Sequence, residues 1–190
     1  MESLIDVAMA DPLRSLKEAE LLLTNSDIAA QAHVYRAMGV AHRRLGDLEA
    51  SSRLLATSVE LGRSLADSQL EALCSISLAA TTLLQGDSRE AIEMLRAITE
   101  TASGEISAEA WFQLGTAHAQ LGNLDDAAQC YGVALPLVRR HRLTSIEVEL
   151  IGNRALVHHL RGRYRDARRD FEKADELFTA TSDMVRKLPL

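Results

Sequence analysis

From residue 27 to residue 180, apolar side chains return every three to four positions in eight stretches. That spacing places them on one face of an α-helix, so the pattern predicts helices and no strands. The stretches fall in pairs: 27–45 with 47–62, 68–85 with 87–101, 107–121 with 123–140, and 145–160 with 163–180. Short polar breaks carrying a glycine separate the two members of each pair: Leu45-Gly46-Asp47-Leu48, Gln85-Gly86-Asp87-Ser88, Leu121-Gly122-Asn123-Leu124 and Arg161-Gly162-Arg163-Tyr164. Each glycine reads as a left-handed residue just past a helix end. Asp47, Asp87 and Asn123 are then placed to cap the following helix. Ahead of the pairs, Asp11-Pro12 reads as a cap followed by proline in the first turn, opening a helix that ends near Leu23. Pro136, inside the 123–140 stretch, predicts a kink or an early end.

The glycines are 40, 36 and 40 residues apart. A near-constant period of this length marks a helical solenoid, in which each hairpin buries its apolar edge on its neighbours. The third pair is the most specific. Trp111, Leu114, Gly115 and His118 match the spacing W-x2-L-G-x2-Y, and Ala127, Tyr131 and Ala134 match A-x3-F-x2-A. These are the helix patterns of the tetratricopeptide repeat, which the chain therefore resembles. Met38, Gly39 and His42 with Ser51, Leu55 and Ser58 follow the same register, as do Leu78, Ala79 and Thr82 with Ala91, Leu95 and Ile98. Ala155 and His158 with Ala167, Phe171 and Ala174 complete the set. The expected fold is all-α, a right-handed α-solenoid of about four tetratricopeptide-like hairpins plus a leading partial repeat. Its expected layout is a leading repeat or N-terminal cap over 1–26, a repeat array over 27–182 and a tail over 183–190 with no partner hairpin.

A second resemblance is carried by Ala37-Met38-Gly39-Val40-Ala41-His42-Arg43-Arg44-Leu45-Gly46-Asp47-Leu48, by Ala134-Leu135-Pro136 and by Glu149-Leu150-Ile151-Gly152-Asn153-Arg154-Ala155. These stretches resemble the N-terminal repeats of actinobacterial CHAT-domain proteins, over roughly residues 11–182. In that family a caspase-like peptidase with a His and Cys dyad follows the repeats, and no part of this sequence has its length or pattern. Peptidase activity is therefore not carried over. The resemblance implies a bacterial sensing or docking half, with a CHAT peptidase as partner in cis or in trans.

Composition narrows the chemistry. Hydrophobic residues make up 47% of the chain and aromatics only 4%, so the core must be aliphatic and small-residue packing. A net charge of −6 argues against nucleic-acid binding by the whole surface. The charge is uneven, with nine arginines and four acids between Pro136 and Asp170. Arg161, Arg163, Arg165, Arg168 and Arg169 alternate there with Asp166, Asp170, Glu172 and Asp175, the spacing of ion pairs along an exposed helix. An acidic docking partner suits this segment better than nucleic acid. The sequence has neither a signal-peptide pattern nor an apolar run long enough to span a membrane, so the expectation is a cytoplasmic protein with no membrane contact.

No motif for a catalytic group, phosphate loop, metal or other cofactor is present, and the chain is expected not to be an enzyme. His42, His118 and His158 share one repeat position, which a packing slot between paired helices explains better than metal ligation. Cys74 and Cys130 lie in apolar helix patterns and read as small buried residues. The functional candidate is the inner, concave face, lined in this repeat class by five positions of each first helix. Those are His33, Arg36, Val40, Arg43 and Arg44, then Leu73, Ile76, Ala80, Leu83 and Leu84. Next come Glu109, Phe112, Thr116, Ala119 and Gln120, then Glu149, Gly152, Leu156, His159 and Leu160. His33, Arg36, Arg43, Arg44, Leu73, Ile76, Leu83, Phe112, Gln120 and His159 are the residues expected to hold a partner. They predict a basic entry and an apolar middle, suited to a protein or peptide with acidic and hydrophobic residues. Two alternatives follow: the regulatory half of a caspase-like peptidase system, or the repeat arm of a bacterial transcriptional regulator.

Overall fold

The computed structural model describes residues 3–24 and 26–186, with side chains to residue 180. Among them are ten α-helices and no strand. The helices are α1 (Leu4–Ala10), α2 (Pro12–Leu23), α3 (Ile28–Arg44), α4 (Leu48–Ser64) and α5 (Ser68–Gln85). They continue as α6 (Ser88–Thr101), α7 (Gly104–Gln120), α8 (Leu124–Arg140), α9 (Thr144–Leu160) and α10 (Tyr164–Arg186). Eight of these are the helices of the four expected hairpins, and α2 is the leading helix. The chain divides into two compact units, Met1–Ile98 and Thr99–Leu190.

Each expected glycine break has a left-handed glycine, with φ between +73° and +95° at Gly46, Gly86, Gly122 and Gly162. At Gly46 the Gly46 amide donates to the Arg43 carbonyl and the Asp47 amide to the His42 carbonyl, closing the helix with the paired bonds of a Schellman turn. The same turn recurs where one hairpin joins the next, but with Ala66 (φ 52°) and Arg142 (φ 57°) in the left-handed position. Asp47 caps α4 by accepting from the Ala50 amide at 3.0 Å. Asn123 makes no such cap on α8; its Nδ2 lies 3.5 Å from His118 Nδ1 instead.

Two local expectations change. Helix α1, absent from the sequence reading, is seven residues long and is fixed by a capping box between Ser3 and Asp6. Helix α8 runs through Pro136 to Arg140 and does not end early. The residue one turn before Pro136, where its ring crowds the backbone, is Gly132, and no atom lies within 4 Å of a Cβ built there. Helix α10 is continuous from Tyr164 to Arg186, so the expected tail over 183–190 begins as helix; residues 187–190 lie outside the described ones.

In the first unit, α3 packs on α4 and α4 on α5. Ala8, Ala37, Val40 and Ala41 form one buried cluster there, and Ala32, Val59, Leu70 and Cys74 another. In the second, α7 packs on α8, α8 on α9 and α9 on α10. The core between them is Phe112, Ala127, Tyr131, Ala134, Val138, Leu150 and Ile151, with Trp111 half-buried at its edge. Small residues set the helix spacing. A Cβ at Gly39 would come within 2.5 Å of Leu55 Cγ, and one at Gly115 within 2.6 Å of Tyr131 Cε1.

Candidate functional site on the first helices

In the first unit the expected basic entry is occupied by the protein's own groups. Arg36, half-buried on α3, donates through Nε to Ser77 Oγ of α5 at 2.8 Å. Arg43 donates through Nη1 to the Ser77 carbonyl at 2.9 Å and to Thr81 Oγ1 at 3.4 Å. Thr81 is fully buried and also bonds Ser51 Oγ of α4 at 2.9 Å. These two arginines therefore tie α3 to α5 through bonds to two hydroxyls and a carbonyl. His33 and Arg44 are exposed.

The apolar middle is packed more than displayed. Ile76 and Leu83 are buried, Leu73 is half-buried, and Leu84 alone of that group is largely exposed, at 58%. The reason is helical phase: Ile76 and Leu83 are two turns apart on the face that α5 turns inward. Phe112 is likewise buried, its ring 6.3 Å from that of Tyr131 in the core of the second unit.

The second unit does present an open pocket, of about 250 Å³, between α7 and α9. Leu156, Val157, Leu160 and Ala119 form its apolar walls, and Thr116, Gln120, Tyr131 and Asn153 bring polar groups to it. Leu156 is 51% and Leu160 57% exposed, an unusual display for adjacent leucines. At the floor, Tyr131 donates its hydroxyl to Thr116 Oγ1 at 3.3 Å, and Thr116 donates to the Phe112 carbonyl at 3.2 Å. Asn153 Nδ2 approaches the same Thr116 oxygen at 3.4 Å, which directs the amide group towards the cavity wall. Burial pushes the Tyr131 phenol up to about 12, so it stays a neutral donor across the physiological range.

Of the ten expected partner-holding residues, this pocket takes in Gln120. His159 stands exposed beside it, its ring 5.3 Å from that of Tyr164. Thr116, Ala119, Leu156 and Leu160 hold inner-face positions recognised from the repeat register, and the structure brings them together. Asn153 and Tyr131 do not hold such positions. Asn153 is one residue beyond Gly152, and its polar character on an apolar helix was the signal available.

The remaining candidates are structural. Cys74 is buried against Ser58, whose Oγ lies 2.8 Å from its Sγ, and burial pushes the thiol up, away from nucleophilic thiolate. His42 and His118 face carboxylates of their own turns, Asp47 at 3.5 Å and Asp126 at 3.9 Å. Among the described residues, no group of three or more His, Cys, Asp and Glu is placed to hold a metal ion. No described helix is long and apolar enough to cross a membrane. The arginine-rich segment is largely internally paired: Arg139 with Glu147, Arg161 with Asp125, Arg168 with Glu172 and Arg169 with Asp166. Asp170 departs from the expected surface ion pair along α10. It is 3% exposed and takes a two-pronged bond from Arg154 of α9, at 2.7 and 3.0 Å.

Three models of the tetratricopeptide repeat match the sequence, over residues 30–104, 83–140 and 152–169. The chain carries tetratricopeptide repeats. Solved structures agree in fold. A structure of MamA AMB-1 shares 24% identity over 93% of this chain and 96% of that one, with a TM-score of 0.60. The apo form of RapI shares 13% identity over 95% and 70% of the two chains, with a TM-score of 0.73. A putative kinesin light chain of Podosopora anserina with nearly identical TPR-like repeats shares 13% identity over 92% and 91%, with a TM-score of 0.62. Curated protein sequences give no match. Tetratricopeptide repeats are a protein-interaction scaffold, and the fold of this chain is of that kind.

Proposed function

We propose that this chain is a non-catalytic scaffold that binds a protein or peptide segment on its first helices, with the α7–α9 pocket as the anchoring point. The observation that carries the reading is the pairing of exposed leucines with oriented polar groups in one cavity. Leu156 and Leu160 supply apolar surface, and Thr116, Asn153 and Gln120 supply donors and acceptors around it. An anchor of this kind takes one apolar side chain of the ligand and hydrogen-bonds the adjoining peptide group. The binding chemistry of the pocket is independent of the resemblance to peptidase-linked repeats.

The test is selection from a random peptide library displayed on phage, followed by titration calorimetry of the enriched sequence. Leu160→Glu should weaken binding by roughly tenfold or more, since it puts a charge where apolar surface is buried. Asn153→Ala should weaken it with circular dichroism unchanged. Enriched peptides that bind both variants as tightly as the native protein would refute the pocket as the anchor.

A further inference from the structure

The surface of α10 carries a second recognition feature, separate from the inner face. Tyr164, Phe171 and Phe178 are spaced by seven residues, which places them along one stripe of the helix roughly 21 Å long. They are 64%, 48% and 61% exposed. The repeat position of Phe171 is filled in the preceding hairpins by Leu55, Leu95 and Tyr131, each 0% exposed. In those hairpins, α4 has α5 packed against it and α8 has α9. Three large aromatic side chains in one stripe, the central one at a position that is core in the preceding hairpins, form an apolar surface suited to a further helix.

The flanks of the stripe say which helix fits. On one side Ala167, buried, and Ala174, half-buried, already face α9. On the other are Arg168 and Asp175, opposite in sign and one heptad apart. In an antiparallel pair of α10 helices centred on Phe171, Phe171 meets its own copy on the two-fold axis. Tyr164 then lies level with Phe178 of the second copy. Arg168 lies one residue from the level of Asp175 of the second copy, and the symmetry makes that ion pair twice. Arg168 at present bonds Glu172 one turn away at 2.8 Å, an exposed pair that exchanges readily for another carboxylate. A parallel two-fold pair would instead put the two copies of this flank on opposite edges of the seam, so Arg168 would not meet Asp175. We propose that the chain self-associates through α10, as an antiparallel, two-fold symmetric pair built on Tyr164, Phe171 and Phe178.

The experiment is sedimentation equilibrium of the full chain over a wide concentration range, with disulfide mapping of the register. The native protein should show a monomer–dimer equilibrium. Phe171→Glu should leave it monomeric with its helical circular dichroism intact. Arg168→Asp should weaken association by roughly tenfold, since it removes two ion pairs, and Arg168→Asp with Asp175→Arg should restore it. With Cys74 and Cys130 buried, introduced thiols report contact. Phe171→Cys should cross-link to itself, and Tyr164→Cys should cross-link to Phe178→Cys in a mixture of the two proteins. A chain that stays monomeric at every concentration, as it would if this stripe served a different protein, overturns the proposal. So does a dimer indifferent to Phe171→Glu, or one in which Tyr164→Cys cross-links efficiently to itself.

Discussion

A methyl group at Gly115 would stand 2.6 Å from Cε1 and 2.7 Å from Cδ1 of Tyr131, inside any tolerable carbon–carbon contact. The ring cannot give way, because Tyr131 is fully buried and held through its hydroxyl to Thr116. Two effects compete in Gly115→Ala. Alanine favours a helix interior by about 1 kcal/mol over glycine, while overpacking a tight contact costs about 1–3 kcal/mol. The clash should win, lowering the melting temperature by a few degrees. Gly132→Ala on α8 is the matched control, since nothing lies within 4 Å of its added Cβ. It should raise the melting temperature, through helix propensity alone. Thermal unfolding followed by circular dichroism decides, and equal rises in both variants would contradict the close approach of α7 and α8. The same scale shows where sequence reading stops. Gly46, Gly86, Gly122 and Gly162 announced their turns because glycine is the residue that tolerates positive φ without cost. Ala66 and Arg142 adopt the same conformation against their intrinsic preference, so the α4–α5 and α8–α9 turns carried no glycine mark in the sequence.

Between elements, the contact of α9 with α10 includes one buried charge beside its apolar packing. Asp170 was legible as an acid alternating with arginines, which suggested a solvated ion-pair ladder. The pattern of α10 resolves this differently: Ala167, Asp170 and Ala174 follow one another on the face turned to α9, and Arg154 meets the carboxylate there. His158 completes the group, with Nε2 3.8 Å from Asp170 Oδ2 and Nδ1 buried without a hydrogen-bond partner. Burial holds the His158 pKa below its ordinary 6.5, outweighing the upward pull of Asp170 and Asp166, with Arg154 and Arg163 acting in the same direction as burial. A depressed histidine pKa means that the unfolded chain takes up the proton first as the pH falls. His158 therefore contributes no pH dependence well above 6.5, and stability is lost as the pH drops from about 6.5 through the lower folded value. Melting curves between about pH 8 and about pH 5, roughly one and a half units either side of an ordinary histidine, should show this loss. His158→Gln should make the decline shallower, and a variant with the native slope would show that other groups govern it.

Across the chain, the period of the glycines and the 3.6-residue apolar rhythm were enough to place nine of the ten helices, because both are properties of the backbone repeated along the sequence. The pocket was half legible. Thr116, Ala119, Gln120, Leu156 and Leu160 follow from repeat register, but register cannot tell that Ile76, Leu83 and Phe112 turn inward or that Arg36 and Arg43 are taken up by Ser77 and Thr81. Those outcomes depend on side chains brought together from separate helices. A molecule built this way should also lose stability locally. In repeat arrays each hairpin's stability is the sum of its own term and its contacts with immediate neighbours, so damage is felt most where it is made. Gly115→Ala strikes the core formed by Phe112, Tyr131, Val138 and Leu150, within Thr99–Leu190. Amide hydrogen exchange should therefore accelerate in α7, α8 and α9 of the variant. Helices α3 and α4 draw on different clusters, around Val40 and Val59, and should keep their native protection. Gly39→Ala supplies the reciprocal case, since its added Cβ strikes Leu55 between α3 and α4. Acceleration confined to the struck unit in each variant is the expected result. Equal acceleration in all helices of both variants would mean that the 190 residues open as one cooperative body, and that the two compact units are not independent in stability.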